Sequence, residues 1–203
     1  MKSVKPAVRF KFDLDKLIAS IGYFASEKIP DLSKLKVCKL LYYADKEHLI
    51  KYGRPIIGDI YYHLDNGPIP SKSLDIMNEV INRDEVYLKS GEISNQEKFT
   101  QFLKVHKSPL SRHPTFQLKR EPDFGCLSES EMEALTAILE KYGSLKPGEL
   151  IERTHQEAPW RQSPSNSEID YRLFFIDEPE AKPEALAYME SIQEDWEIVL
   201  GLE

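Results

Sequence analysis

The sequence predicts an α+β fold that is predominantly α-helical, a compact helical domain with a small antiparallel sheet or hairpin. Three observations predict it. Several stretches place apolar residues at helical spacing. One run, Ile56 to Leu64, is rich in β-branched and aromatic residues and leads into a tight turn. The 203 residues are 41% hydrophobic and include ten Tyr, nine Phe and two Trp, enough large side chains for a buried core. That length suits one domain over residues 1–203, with a core at about 15–160 and a C-terminal helix at about 183–200 packed on it.

The first helix is expected from about Asp15 to Lys28, where Leu17, Ile18, Ile21, Phe24 and Ala25 recur on one side. Asp13 or Asp15 supplies its cap, and Pro30 stops it. A second helix opens at Ser33 and ends near Tyr52, with Gly53 as its C-terminal stop. Val37, Cys38, Leu41, Ala44, His48 and Tyr52 form its stripe. Leu40 and Tyr43 widen that stripe, as expected of a central helix contacted from several sides. Asp65-Asn66-Gly67-Pro68 reads as a turn, and Pro70-Ser71 as the start of a third helix bearing Leu74, Met77, Val80 and Ile81. Between Asp84 and Phe124 the pattern weakens, with short strand candidates at Val86–Leu88, Phe102–Val105 and Thr115–Leu118. Ser128 and Glu131 form a capping box for a helix ending at Gly143. Pro147 begins a short helix over Gly148 to Gln156. Trp160 follows in an irregular segment. The last helix runs from Pro183 to Leu200 with Leu186, Met189, Ile192, Trp196 and Val199 at near-helical spacing.

The formal net charge of −7 argues against strong nucleic-acid binding, which needs a basic face to displace counterions from phosphates. Lys34, Lys36 and Lys39 lie close together and read as a solvated helix face. Two cysteines, Cys38 and Cys126, are too few for a disulfide framework, so a cytoplasmic location is expected. No run approaches the roughly 20 apolar residues that span a bilayer, and no secretion signal is visible.

Sites for chemistry are sparse. His48, His63, His106, His113 and His155 lack the paired spacing of a metal site, and neither CxxC nor HExxH occurs. His48 on the apolar stripe reads as a core histidine bonded to a neighbour, and Cys38 as a buried, inert thiol. There is no GxSxG elbow and no phosphate-cradling glycine loop. The carboxylates are expected on solvated helix surfaces. The reading is therefore of a protein that is not an enzyme and holds no cofactor or metal. Two clusters stand out: Tyr61-Tyr62-His63 running into Asn66-Gly67-Pro68, and Thr154-His155-Gln156-Glu157-Ala158-Pro159-Trp160-Arg161. The second fits a structural corner, with Trp160 plugging the core while Thr154 and Glu157 satisfy backbone groups. It also fits a recognition surface, because Trp, Tyr and Arg are enriched at binding hot spots.

Together these segments resemble the Panacea domain family of SocA-like antitoxins. The resemblance rests on Lys39-Leu40-Leu41-Tyr42-Tyr43-Ala44-Asp45, His48, Tyr52-Gly53-Arg54-Pro55-Ile56, Asn66-Gly67-Pro68-Ile69-Pro70, Thr154-His155-Gln156-Glu157 and Pro159-Trp160. It spans about Ser20 to Trp160. It implies a bacterial or phage protein, often encoded beside a toxin that it neutralises by direct binding. In the SocA-like branch it further implies an adaptor that delivers the toxin to a protease. The segment from Asp84 to Phe124 matches no family pattern, and the region after Trp160 is not diagnostic of the family. The candidate partner-binding residues are Tyr43, His48, Tyr62, His63, Thr154, His155, Glu157 and Trp160. Two rival readings remain: an enzyme using His48, His63 and His155 as acid–base groups, and a mobile-element or prophage accessory protein that forms a homo-oligomer through its last helix.

Overall fold

The computed structural model describes residues 7–82, 94–109, 111, 113–176 and 178–200. Among these residues helices dominate, and two small antiparallel two-stranded sheets accompany them. The predominantly helical α+β class is therefore the observed one.

Helix α1 (Leu14–Ser26) starts where the Asp13 carboxylate accepts the N–H groups of Asp15 and Lys16. It ends before Pro30. Lys28 and Asp31 sit at φ 53° and 55°, and these left-handed residues turn the chain toward α2 (Lys34–Tyr52). Gly53 at φ 73° closes α2 as expected. Helix α2 is buried on nearly every side, and the helices over Ser71–Asn82, Glu129–Tyr142, Pro147–His155 and Pro183–Leu200 and the first hairpin all pack on it. One expectation fails on this helix. Lys36 and Lys39 form no solvated face, being only 1% and 0% exposed. Residues 36, 39, 43 and 46 recur at helical spacing, so these cations share the inward side with Tyr43. Tyr52, expected on the apolar stripe, is exposed instead.

Strands β1 (Tyr61–Leu64) and β2 (Gly67–Pro70) pair with Leu64 opposite Gly67, leaving Asp65 and Asn66 as a two-residue turn. Gly67 and Pro68 thus belong to the strand rather than to the turn. The outer edge of β1 bonds to residues 167–169, for Ile169 N–H donates to Tyr61 O and His63 N–H to Ser167 O. The Asp59 carboxylate accepts Lys72 N–H, Ser73 N–H and Ser73 O–H, and so caps α3 (Ser71–Asn82).

The middle of the chain departs from expectation. Val86–Leu88 lies outside the described residues. Helix α4 (Asn95–Phe102), which the periodicity did not reveal, is opened by a Ser94/Glu97 capping box. It runs directly into β3 (Leu103–His106), which pairs with β4 (Thr115–Leu118) in a second hairpin whose inner side rests on α1. Helix α5 (Glu129–Tyr142) carries the expected Ser128/Glu131 capping box, and α6 (Pro147–His155) starts at its proline. Trp160 lies in a short helix, α7 (Ala158–Gln162), not in irregular chain. Helix α8 (Pro183–Leu200) packs on α2 through buried Ala185 and Met189. The side chains of Trp196 and Val199 lie outside the described residues. No helix among the described residues is long and apolar enough to cross a membrane.

Candidate functional site

The site is assembled where the β1–β2 hairpin meets the α6–α7 corner over the middle of α2. Lys39 is the keystone. Its ammonium donates to Pro68 O at 2.8 Å with no exposure to solvent. Burial lowers its pKa to about 7, opposed by charge interactions with Cys38 and Glu157. Gly67, at φ 86°, leaves room for this contact. A methyl group there would collide with Thr154 Oγ1 and come 2.6 Å from Lys39 Nζ. Three segments distant in sequence therefore meet at one point: Lys39 on α2, the Gly67-Pro68 strand and Thr154 on α6.

Glu157 ties the corner to α2. Its carboxylate accepts the Tyr42 hydroxyl at 2.6 Å and pairs with Lys46 at 2.9 Å. Glu178 also pairs with Lys46. Charge-assisted bonds of this kind, made by buried partners, hold the corner in one geometry. Below them, the Asp45 carboxylate accepts Ile56 N–H, Ile57 N–H and the Tyr61 hydroxyl at 2.8–3.0 Å. Burial pushes Asp45 up to about 7 against those bonds.

The outer layer is aromatic. Trp160 donates its Nε1–H to Leu64 O at 3.1 Å, so the indole grips the hairpin tip. His155 stacks on Trp160 at 3.9 Å between ring centroids, and His63 lies against the same indole at 4.5 Å. His63 Nδ1 is 2.8 Å from Ser163 O, a contact that requires the proton on Nδ1. His155 bonds to the Asp65 backbone, while its Nε2 is buried without a partner. Burial, with the nearby Lys39 charge, lowers its pKa and keeps the ring neutral near pH 7.

The eight candidate residues divide into two groups. His63, His155, Glu157 and Trp160 are half-buried and meet at this corner, whereas half-buried Tyr62 points to the other side of its strand, near Arg9. Tyr43, His48 and Thr154 are 3%, 0% and 0% exposed, so they cannot line an exterior surface. Tyr43 stacks on Tyr142 at 4.2 Å in the interior. His48 sits elsewhere, with Nδ1 2.7 Å from Arg54 O and Nε2 3.0 Å from Ser130 Oγ, as a core histidine bonded to its neighbours should. Folding therefore brings His63 and His155 together and leaves His48 apart. Trp160 is a half-buried lid on the hairpin rather than a core plug, and Glu157 holds side chains of α2 instead of backbone groups.

Sequence reasoning missed Lys39, Tyr42, Asp45 and Lys46 as builders of the site. Their signal was the placement of polar residues on the inward side of an apolar helix. Some carboxylates expected on solvated surfaces are interior: Asp45, Asp59 and Glu131 are each 1% exposed or less. Glu131 accepts hydrogen bonds from Lys16, Arg54 and Ser128 N–H. Burial works to raise its pKa, but those bonds prevail and hold it below the usual carboxylate value. Cys38 is buried, and burial pushes its thiol up to about 12.

The family profile described as antitoxin SocA-like, Panacea domain, matches residues 37–161, more than half of the chain. The matched span begins in α2 and ends in α7, so it takes in Lys39, Tyr42, Asp45, Lys46, His63, His155, Glu157 and Trp160 but not Ser163 or Glu178, and it also covers residues 84–124, which were expected to match no family pattern. No curated protein and no solved structure matches the chain.

Proposed function

This chain belongs to the antitoxin SocA-like, Panacea domain family, and on that premise we propose that it is a protein-binding module that neutralises a cognate toxin by covering it. The carrying observation is the aromatic corner, where Trp160 is fixed to the hairpin tip and backed by His155 and His63. A half-exposed Trp on a rigid backing is the kind of anchor that dominates protein interfaces. The Lys39, Tyr42 and Glu157 contacts beneath supply the rigidity, so little ordering entropy is lost on binding. His63, His155 and Trp160 form the contact face. Tyr43, His48 and Thr154 support it from inside.

The reading assigns no catalytic step. His48 is enclosed with both ring nitrogens bonded, and His63 and His155 lie against an indole. That use of the side chains supports binding over acid–base chemistry. The test is co-expression with the product of the neighbouring reading frame. Growth arrest should be relieved, the two chains should elute together, and Trp160→Ala should abolish both effects while its circular dichroism stays native. Toxin abundance in the same cells separates two mechanisms. Steric cover leaves the toxin level unchanged, whereas hand-over to a protease depletes it. Persistent arrest with no complex would end the proposal.

A further inference from the structure

The second hairpin carries a charge pattern unlike the rest of the chain. Between positions 98 and 120 stand six of the 27 Lys and Arg residues and none of the 34 Asp and Glu. The β3–β4 register sends part of this charge to one side. Leu103 and Phe116 are buried inward, while Lys104 lies opposite Gln117 and His106 opposite Thr115 on the outer side. Strand alternation adds Lys119 to that side, and Lys107 and Arg120 follow at the ends of the ribbon. Lys104, Lys107, Lys119 and Arg120 are exposed, and none pairs with a carboxylate among the described residues. Lys119 donates to Thr100 O, and Arg120 lies over the Phe102 ring at 4.7 Å.

Beside the ribbon, a hollow of ≈ 680 Å³ separates β4 from the turn after α1. Lys28, Ser108, Ser111, His113, Thr115 and Gln117 line it with donors and acceptors. Its lining includes one acid, Asp31, in the turn after α1. The volume falls in the range of small-ligand sites.

We propose that the outer face of the β3–β4 ribbon, with this hollow, binds single-stranded nucleic acid through its phosphates. Lys119 N–H donates to Phe102 O, so Lys119 stands diagonally across the ribbon from Lys104, roughly 7–8 Å away and close to the spacing of successive phosphates along an extended nucleic-acid chain. A lysine or two would suffice to guard an edge strand against aggregation. Exclusion of every acid over the whole segment, next to a polar hollow, goes beyond that need. The strands are too short to fill a duplex groove, and cations spread along one narrow ribbon suit one backbone. The overall charge of −7 opposes long-range attraction, so binding is confined to this face and weak. This inference does not depend on the toxin-binding reading.

The test is fluorescence anisotropy of the full chain with fluorescein-labelled 12-nucleotide oligo(U) and oligo(dT). Four phosphate contacts give a slope of log affinity against log salt of about −3, or a loss of about 50-fold between 50 and 200 mM salt. The double variant Lys104→Gln/Lys119→Gln should roughly halve that slope, because two of the four contacts are lost. Lys141→Gln, on α5, should bind like the parent chain. No binding at 50 mM salt overturns the proposal, as does an unchanged slope in the double variant or an equal loss in Lys141→Gln. Displacement of the oligonucleotide by polyglutamate at equal charge also overturns it, assigning the face to an acidic protein surface.

Discussion

Replacing Lys39 by methionine should stabilise the protein below neutral pH and destabilise it at pH 10. The side chain is fully buried, its one hydrogen bond is to Pro68 O, and its pKa falls from 10.5 to about 7. The folded-state value lies below the unfolded one, so the fold favours the neutral amine. Stability from this group is full above pH 10.5, declines as pH falls toward 7, and stays at its minimum below. Each pH unit between the two values is worth about 1.4 kcal/mol, so the burdened ammonium costs about 4–5 kcal/mol at pH 6 and under about 1 kcal/mol at pH 10. Methionine removes that cost but leaves the Pro68 carbonyl unpaired, at about 1–3 kcal/mol. The net expectation is a gain of about 1–4 kcal/mol at pH 6 and a loss of up to about 2 kcal/mol at pH 10, from these same two contributions. Urea unfolding of both chains from pH 6 to pH 10 measures it, and other titrating groups cancel in the difference. A variant less stable at every pH, by a constant amount, would refute the idea of a strained buried cation.

Gly67→Ala should cost about 2–4 kcal/mol, because a methyl at φ 86° meets Thr154 Oγ1 and Lys39 Nζ, and thermal unfolding reads the loss. Tyr42→Phe should cost about 1–3 kcal/mol by freeing Glu157 from its hydroxyl, with partner binding weakened in step, measured by urea unfolding and co-elution. Glu131→Gln should cost about 2 kcal/mol, discounted because its partners Lys16 and Arg54 are partly exposed. The Glu131 pKa is held below its usual value, so the parent chain keeps this stability above about pH 4.5 and loses it as pH falls further; the gap to the variant should close there. Trp160→Phe removes the bond to Leu64 O while keeping an aromatic ring, and should weaken partner affinity by about tenfold with little change in melting temperature, as calorimetry would show.

Much of the architecture was legible because it depends on local chemistry. The Asp13 cap, the Ser128/Glu131 capping box, the Gly53 stop and Pro147 at a first helical position each act within one turn of chain, so adjacent residues determine them. The width of the apolar stripe on α2 already marked a central helix. Helix α4 was missed although Ser94 and Glu97 announce it, because a helix of eight residues with one buried side chain, Phe99, shows no periodicity to read. Trp160 was placed in irregular chain for a similar reason, since five residues are too few for a pattern.

The tertiary structure alone decided the charge states and the site. A lysine in a helix reads as solvated unless the surroundings are known, and Lys39 is enclosed only because α6 and the β1–β2 hairpin close over it. The same holds for Asp45, whose partners lie 11 and more positions away along the chain, and for Glu131, whose cations Lys16 and Arg54 lie 115 and 77 positions away. Sequence by itself determined which elements form and supplied the residue types of the aromatic corner. Which of these face outward, which are keystones and which imidazoles meet depended on packing between distant segments, because burial and its electrostatic cost belong to the whole assembly and not to any local stretch.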